Sequence, residues 1–198
     1  MSDTIVRFIA ADDPLARPLL DDLEREYDAR YGDLFGEVAS VEINRYPVQE
    51  FALPSGAFLV LVEFVDGVET PIAGGAFRRY DERTAELKRI WTRADRRGQG
   101  LAGRVVAALE AEARRLGYTD IYLTTGPRQP EAVSLYLREG YEPQFDTTLP
   151  PAEVGIHGFR KHVGGVPVDT GSVPASAAAS THATTPAAAS VAREGALA

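Results

Sequence analysis

At 198 residues, with 44 % apolar side chains, the chain is long enough for one ordinary domain with a real core. A formal net charge of −8 argues against a nucleic-acid backbone as the main partner, because phosphate binding needs a basic surface. The absence of cysteine excludes disulfides, thiolate metal sites and an acyl-cysteine intermediate.

Met1-Ser2-Asp3-Thr4 lacks the basic and apolar regions of a signal peptide, and no apolar run approaches membrane-spanning length. A soluble, cytoplasmic protein is the expectation. Residues 4–10 read as a short strand. Pro14 opens a helix to about residue 31, with Leu15, Leu19, Leu23 and Tyr27 on one face. Residues 41–52 read as a weakly patterned helix or loop. Residues 58–65 are nearly all apolar, as expected of a central strand covered on both faces. Asp66-Gly67 signals a hairpin turn, and residues 70–79 read as its returning strand.

A strand over residues 85–92 leads into Arg97-Gly98-Gln99-Gly100-Leu101-Ala102, which opens a helix over 101–116. Leu101, Val105, Ala108, Leu109, Glu112 and Leu116 fall mostly on one stripe, and Gly117 is a good stop. A strand over 121–125, a helix over 131–139 ended by Gly140, and strands over 141–145 and 155–163 complete the reading. From residue 164 the chain is mostly Ala, Ser, Thr, Pro, Gly and Val, with only Asp169, Arg193 and Glu194 charged. Such a segment buries too little surface to offset its ordering entropy. Residues 1–163 are therefore expected to form the domain and 164–198 a disordered tail. Cutting after about Gly165 is expected to leave activity and melting temperature nearly unchanged. A large drop in melting temperature on truncation would mean that the tail docks on the domain.

The glycine turn between a strand and a helix presents backbone N–H groups with no internal partner. Glycines let a ligand approach that backbone, and the helix dipole favours an anion there. Arg97 adds a fixed positive charge. The turn thus reads as a pyrophosphate cradle, although a Gly-rich turn before a surface helix has the same pattern.

Four segments together are more specific than the turn alone: residues 85–92 (Ala-Glu-Leu-Lys-Arg-Ile-Trp-Thr), Arg97 to Ala102, residues 121–126, and Ala132-Val-Ser-Leu-Tyr136 followed by Gly140-Tyr141. In order and spacing they resemble the GNAT family of acyl-CoA N-acyltransferases, over roughly residues 4–162. The resemblance implies an α/β (α+β) fold. Its central mixed, mostly antiparallel sheet would splay between the fourth and fifth strands and be flanked by helices. It implies acetyl-CoA as acyl donor, a primary amine of a small molecule as the expected acceptor, and direct transfer in a ternary complex; no metal is expected. The pantetheine arm would lie along Ile90, Trp91 and Thr92. The pyrophosphate would meet Arg97, Gly98, Gln99, Gly100, Leu101, Ala102 and Gly103, with Ala102 replacing the family's second glycine.

Tyr136 matches the family's usual general acid, which protonates or hydrogen-bonds the departing thiolate. Spacing alone fits a core residue beside Leu135 and Leu137 equally well. Glu86 matches a Glu that in the histone-modifying branch takes a proton from the amine. It fits a strand residue paired with Lys88, Arg78 or Arg79 as readily, and in many members solvent is the base. Gln129 stands near an Asn that contacts pantetheine or orders its loop, and Arg128 is either a phosphate ligand or a solvated charge. His157, His162 and His182 lack metal-ligand spacing.

Residues 18–50 carry nine carboxylates against Arg25, Arg30 and Arg45. This is either a field that gathers cationic amines or a solvated face. Two other functions fit the same residues: an acyl-CoA-binding module without turnover, and a modifier of protein N-termini or lysines. The oligomeric state, with a homodimer among the options, is left open.

Overall fold

The computed structural model describes residues 4–32 and 45–164. The expected tail from 165 onward, and the first part of the weakly patterned 41–52 segment, lie outside the described residues.

Strand β1 (Ile5–Ile9) precedes helix α1 (Arg17–Tyr31), which follows a short 3-10 turn at Pro14–Ala16. The Asp13 carboxylate accepts from the Leu15 amide at 2.8 Å and so starts that turn. Leu19, Leu23, Tyr27 and Tyr31 form the buried face of α1, at the spacing the sequence shows. Strands β2 (Ala57–Val65), β3 (Val68–Arg79) and β4 (Thr84–Thr92) form an antiparallel meander. Leu59, Val60, Leu61 and Val62 are all fully buried, as a central strand covered on both faces must be. Helix α2 (Leu101–Arg115), strand β5 (Asp120–Thr125) and helix α3 (Pro130–Arg138) follow.

The C-terminal strands differ from the pattern read in the sequence. The segment expected as a strand over 141–145 pairs only at β6 (Glu142–Pro143). A short helix α4 (Pro151–Val154) precedes β7 (His157–His162). Pro143 cannot donate to a ladder, which limits β6.

The strand order is β1-β2-β3-β4-β5-β7-β6, a mixed sheet whose one parallel pair is β4–β5. One core lies between the sheet and α2 with α3, and a second lies between the sheet and α1. On α2 the buried carboxylate is Glu110 rather than the expected Glu112. Tyr141 Oη donates to Glu110 at 2.8 Å, and Lys161 Nζ bridges Glu110 at 2.9 Å and the Glu139 carbonyl at 2.8 Å. That network satisfies the buried charge and ties α2 and α3 to β7. No helix among the described residues is long and apolar enough to cross a membrane.

Candidate active site

The seam between β4 and β5 is short. Parallel pairing holds at Thr84, Ala85 and Glu86, opposite Asp120, Ile121 and Tyr122, and then stops. Beyond Glu86 the two strands diverge. The edge of β4 over residues 87–92 therefore carries backbone groups with no partner on β5.

A β-bulge sets the geometry of that edge. Gly74 faces Trp91 and Ala76 faces Lys88, so Gly75 stands opposite both Arg89 and Ile90. Arg89 takes the left-handed conformation, φ 61°, which is uncommon for a side chain of this kind. The bulge resets the alternation of β4. Ile90 joins the core under α2, while Trp91 joins the core under α1. A Cβ at Gly75 would lie 2.6 Å from Ile90 Cδ1 and 3.0 Å from Val105 Cγ1, so those side chains would have to shift. Burial holds the Arg89 guanidinium down at about 10, and its charge lies 4.2 Å from the Phe51 ring centroid. The glycine pair Gly74-Gly75 inside a strand was the sequence signal for this bulge.

A cleft of about 470 Å³ opens along the divergent edge, lined by Ile90, Trp91 and Thr92 on one side and by Leu135 and Tyr136 of α3 on the other. Its floor continues to the glycine turn. Gly98 and Gly100 have φ of 76° and 74°, and Gly100 is the N-cap of α2. Nothing lies within 4 Å of a Cβ built on either, so the turn is open space over a helix N-terminus. Arg97, Leu101, Ala102 and Gly103 also line the cleft, whereas Gln99 does not.

Tyr136 is fully buried, with its ring against Tyr141 and Phe159. Its hydroxyl has no hydrogen-bond partner among the described residues. Burial raises the phenol well above its ordinary value, so it keeps its proton. A buried, unsatisfied donor on the wall of a cleft has a desolvation cost that a substrate atom can offset. Gln129 also lines the cleft and closes the turn before α3. Its side-chain oxygen accepts from the Gly126 amide at 3.1 Å and from Thr125 Oγ1 at 2.7 Å. Arg128 faces α1 instead, donating to the Arg30 carbonyl at 2.5 Å.

Glu86 is placed differently. It is buried, does not line the cleft, and lies between two cations. Arg78 Nη2 is 2.8 Å and Lys88 Nζ 3.1 Å from its carboxylate oxygens, both as ion pairs. Arg78 reaches Glu50 at 3.0 Å and covers the Tyr46 ring at 3.9 Å.

Helix α1 supplies a further wall of the cleft. Leu23, Glu26, Tyr27, Arg30 and Tyr31 all line the cleft. The acids of this region are largely engaged with neighbours. Asp22 accepts from Trp91 Nε1 at 3.1 Å, Glu26 pairs with Arg97 and Arg30, and Glu50 pairs with Arg78. Those pairs weaken a general negative field toward an acceptor. Asp33, Glu37 and Glu42 lie outside the described residues.

Comparison with known proteins agrees with this geometry. A candidate acyl-CoA N-acyltransferase from Klebsiella pneumoniae superposes with a TM-score of 0.60 at 24 % identity, covering 81 % of this chain and 97 % of that one. A GNAT family acetyltransferase from Elizabethkingia anophelis, solved with acetyl-CoA bound, gives 0.52 at 15 % identity, covering 82 % and 99 %. At such identities the likeness is one of fold. The rat protein N-acetyltransferase family 8 member 2 is 40 % identical over 57 residues, which is 29 % of this chain and 25 % of that protein. The model of the acetyltransferase (GNAT) family matches residues 18–141, which include α1 from its second residue, the glycine turn and Tyr136. With well over half of its length inside that match and its sheet parted at the expected seam, the chain belongs to the GNAT acetyltransferase family.

Proposed function

We propose that the protein transfers an acetyl group from acetyl-CoA directly to a primary amine, in the cytoplasm, with both substrates bound together. The carrying observation is the Tyr136 hydroxyl, which is buried, without a partner and on the cleft wall. The open turn at Gly98 and Gly100 would hold the diphosphate. The unpaired edge at Ile90, Trp91 and Thr92 would hold the pantetheine amides, and Gln129 would keep the loop beside them in shape.

In the reaction the neutral amine nitrogen attacks the thioester carbonyl carbon. A C–N bond forms, and collapse of the tetrahedral intermediate breaks the C–S bond. Tyr136 gives its proton to the departing sulfur, the proton lost by the amine leaves to solvent, and solvent returns a proton to the Tyr136 phenolate as the thiol departs. General acid catalysis by a held phenol suits this step, because the negative charge develops on sulfur.

For the amine's proton we favour water over Glu86, whose carboxylate faces Arg78 and Lys88 and not the cleft. Glu86 then serves to anchor those two buried cations. Glu86→Gln is accordingly expected to lower the melting temperature by several degrees and to lower turnover by the same factor at every pH. A rate loss that shrinks as pH rises, with unchanged melting, would instead make Glu86 the base.

The experiment that tests the function is a screen of small amines, polyamines, amino acids and peptides with acetyl-CoA, read by thiol release. Turnover with one class identifies the acceptor. A protein that binds acetyl-CoA and releases no thiol with any of them is a binding module.

A further inference from the structure

Glu26 and Arg97 are 71 positions apart and meet at the cleft, with Glu26 Oε2 2.8 Å from Arg97 Nη2. The other Glu26 oxygen is 2.6 Å from Arg30 Nη2, and Arg30 also pairs with Glu131 of α3. The ion chain Arg97–Glu26–Arg30–Glu131 thus runs from the glycine turn across α1 to α3, and all four residues line the cleft. On the far side of Arg97, its Nε donates to the Thr92 carbonyl at 3.3 Å.

We infer that Glu26 is an internal stand-in for the donor's diphosphate, so that acyl-CoA binding is an anion exchange at Arg97 and Glu26 sets donor affinity. The inference rests on the reading above that the glycine turn receives the diphosphate. Three observations carry it. The guanidinium next to the open helix N-terminus already faces a carboxylate. That carboxylate does not lose its charge compensation on release, because Arg30 still holds its second oxygen. Finally, Arg97 is about half exposed, and ion pairs of this kind are worth at most about fivefold in an equilibrium constant.

A diphosphate has the stronger claim on Arg97. It can take the planar fork in a bidentate manner, and it gains the unpaired amides of the turn as well. Glu26 nonetheless subtracts from donor affinity twice, once as competitor and once as a like charge beside the diphosphate. The same subtraction speeds departure of the product CoA, which carries the same diphosphate.

Calorimetric titration of CoA into the full chain, at fixed ionic strength, tests this in wild type, E26Q, E26A, R97Q and the double variant E26Q/R97Q. The expected result is tighter CoA binding by about threefold to tenfold in both E26Q and E26A. That gain should shrink in the R97Q background to the like-charge part alone, because there is no guanidinium to compete for. Unchanged or weaker binding in E26Q and E26A would overturn the inference. So would an equal gain with and without Arg97, which would make the effect a general field. Failure of both single variants to fold would make Glu26 a structural clamp, and that also overturns it. If wild type itself does not bind CoA, the reading of the glycine turn fails, which is a different outcome from binding that ignores Glu26.

Discussion

Replacing Tyr136 with Phe is expected to cut turnover by about 10² to 10⁴ while leaving acetyl-CoA affinity nearly unchanged. The ring packs against Tyr141 and Phe159, and Phe keeps those contacts. Only the hydroxyl is lost, and it has no partner among the described residues, so its removal leaves no new unsatisfied group. The melting temperature should therefore hold or rise slightly. The rate separates catalysis from packing, because a residue with only a core role would keep its rate.

The pH signature follows from the raised phenol. Its folded value lies above its unfolded value, so this contribution to stability is complete below about pH 10 and declines as pH rises above it. Tyr136→Phe should be less sensitive to that alkaline decline. Full activity in Tyr136→Phe on a proven acceptor would return Tyr136 to the core.

The second large effect is expected at Gly100. Its φ of 74° places it in the left-handed region, and a β-branched residue there is strained by about 1–2 kcal/mol. No heavy atom lies within 4 Å of an added Cβ, so the protein itself does not clash with the new side chain. The clash falls on the ligand, because the valine side chain would fill the open space at this turn that the diphosphate is proposed to occupy. In Gly100→Val the affinity for acetyl-CoA should fall by more than about 10², a loss of more than 2.7 kcal/mol. Thermal unfolding gives the readout. Millimolar acetyl-CoA should raise the melting temperature of the wild type by several degrees and leave Gly100→Val unmoved. Gly100→Ala has similar backbone strain with a smaller side chain, so its response should fall between the two. An equal shift in all three would show that no ligand approaches this turn.

Elements that rest on local chemistry were legible in the sequence. The glycine turn, the apolar run of β2, and the α1 face through Leu19, Leu23 and Tyr27 each follow from residues close in the chain. The order of strands around the parting seam came from the resemblance, and the three-residue β4–β5 pairing agrees with it. What was not legible depends on contacts between distant positions. Glu26 reads as one more helix-surface acid until Arg97 is placed beside it. The bulge at Arg89 needs the register of β3, and only Gly74-Gly75 hinted at it. The α2 stripe through Leu101, Val105 and Leu109 was legible, but its buried carboxylate is Glu110 and not Glu112, because Glu110 is compensated by Lys161, 51 residues away. For Glu86, both the base and the salt-bridged residue fitted its sequence. The side chains of Arg78 and Lys88 favour the second.

The short seam has a consequence for how fast the backbone exchanges hydrogen with solvent. Past Glu86, β4 is bonded along one rail only, to β3. Amides facing β3 are protected by the sheet, while those facing the cleft are open to water. Exchange rates along 87–92 should therefore rise and fall from residue to residue, with the phase reset where Arg89 and Ile90 share one partner. A ligand lying along the free rail would flatten that sawtooth, so the amides of a single strand can report occupancy of the cleft without any chemistry taking place.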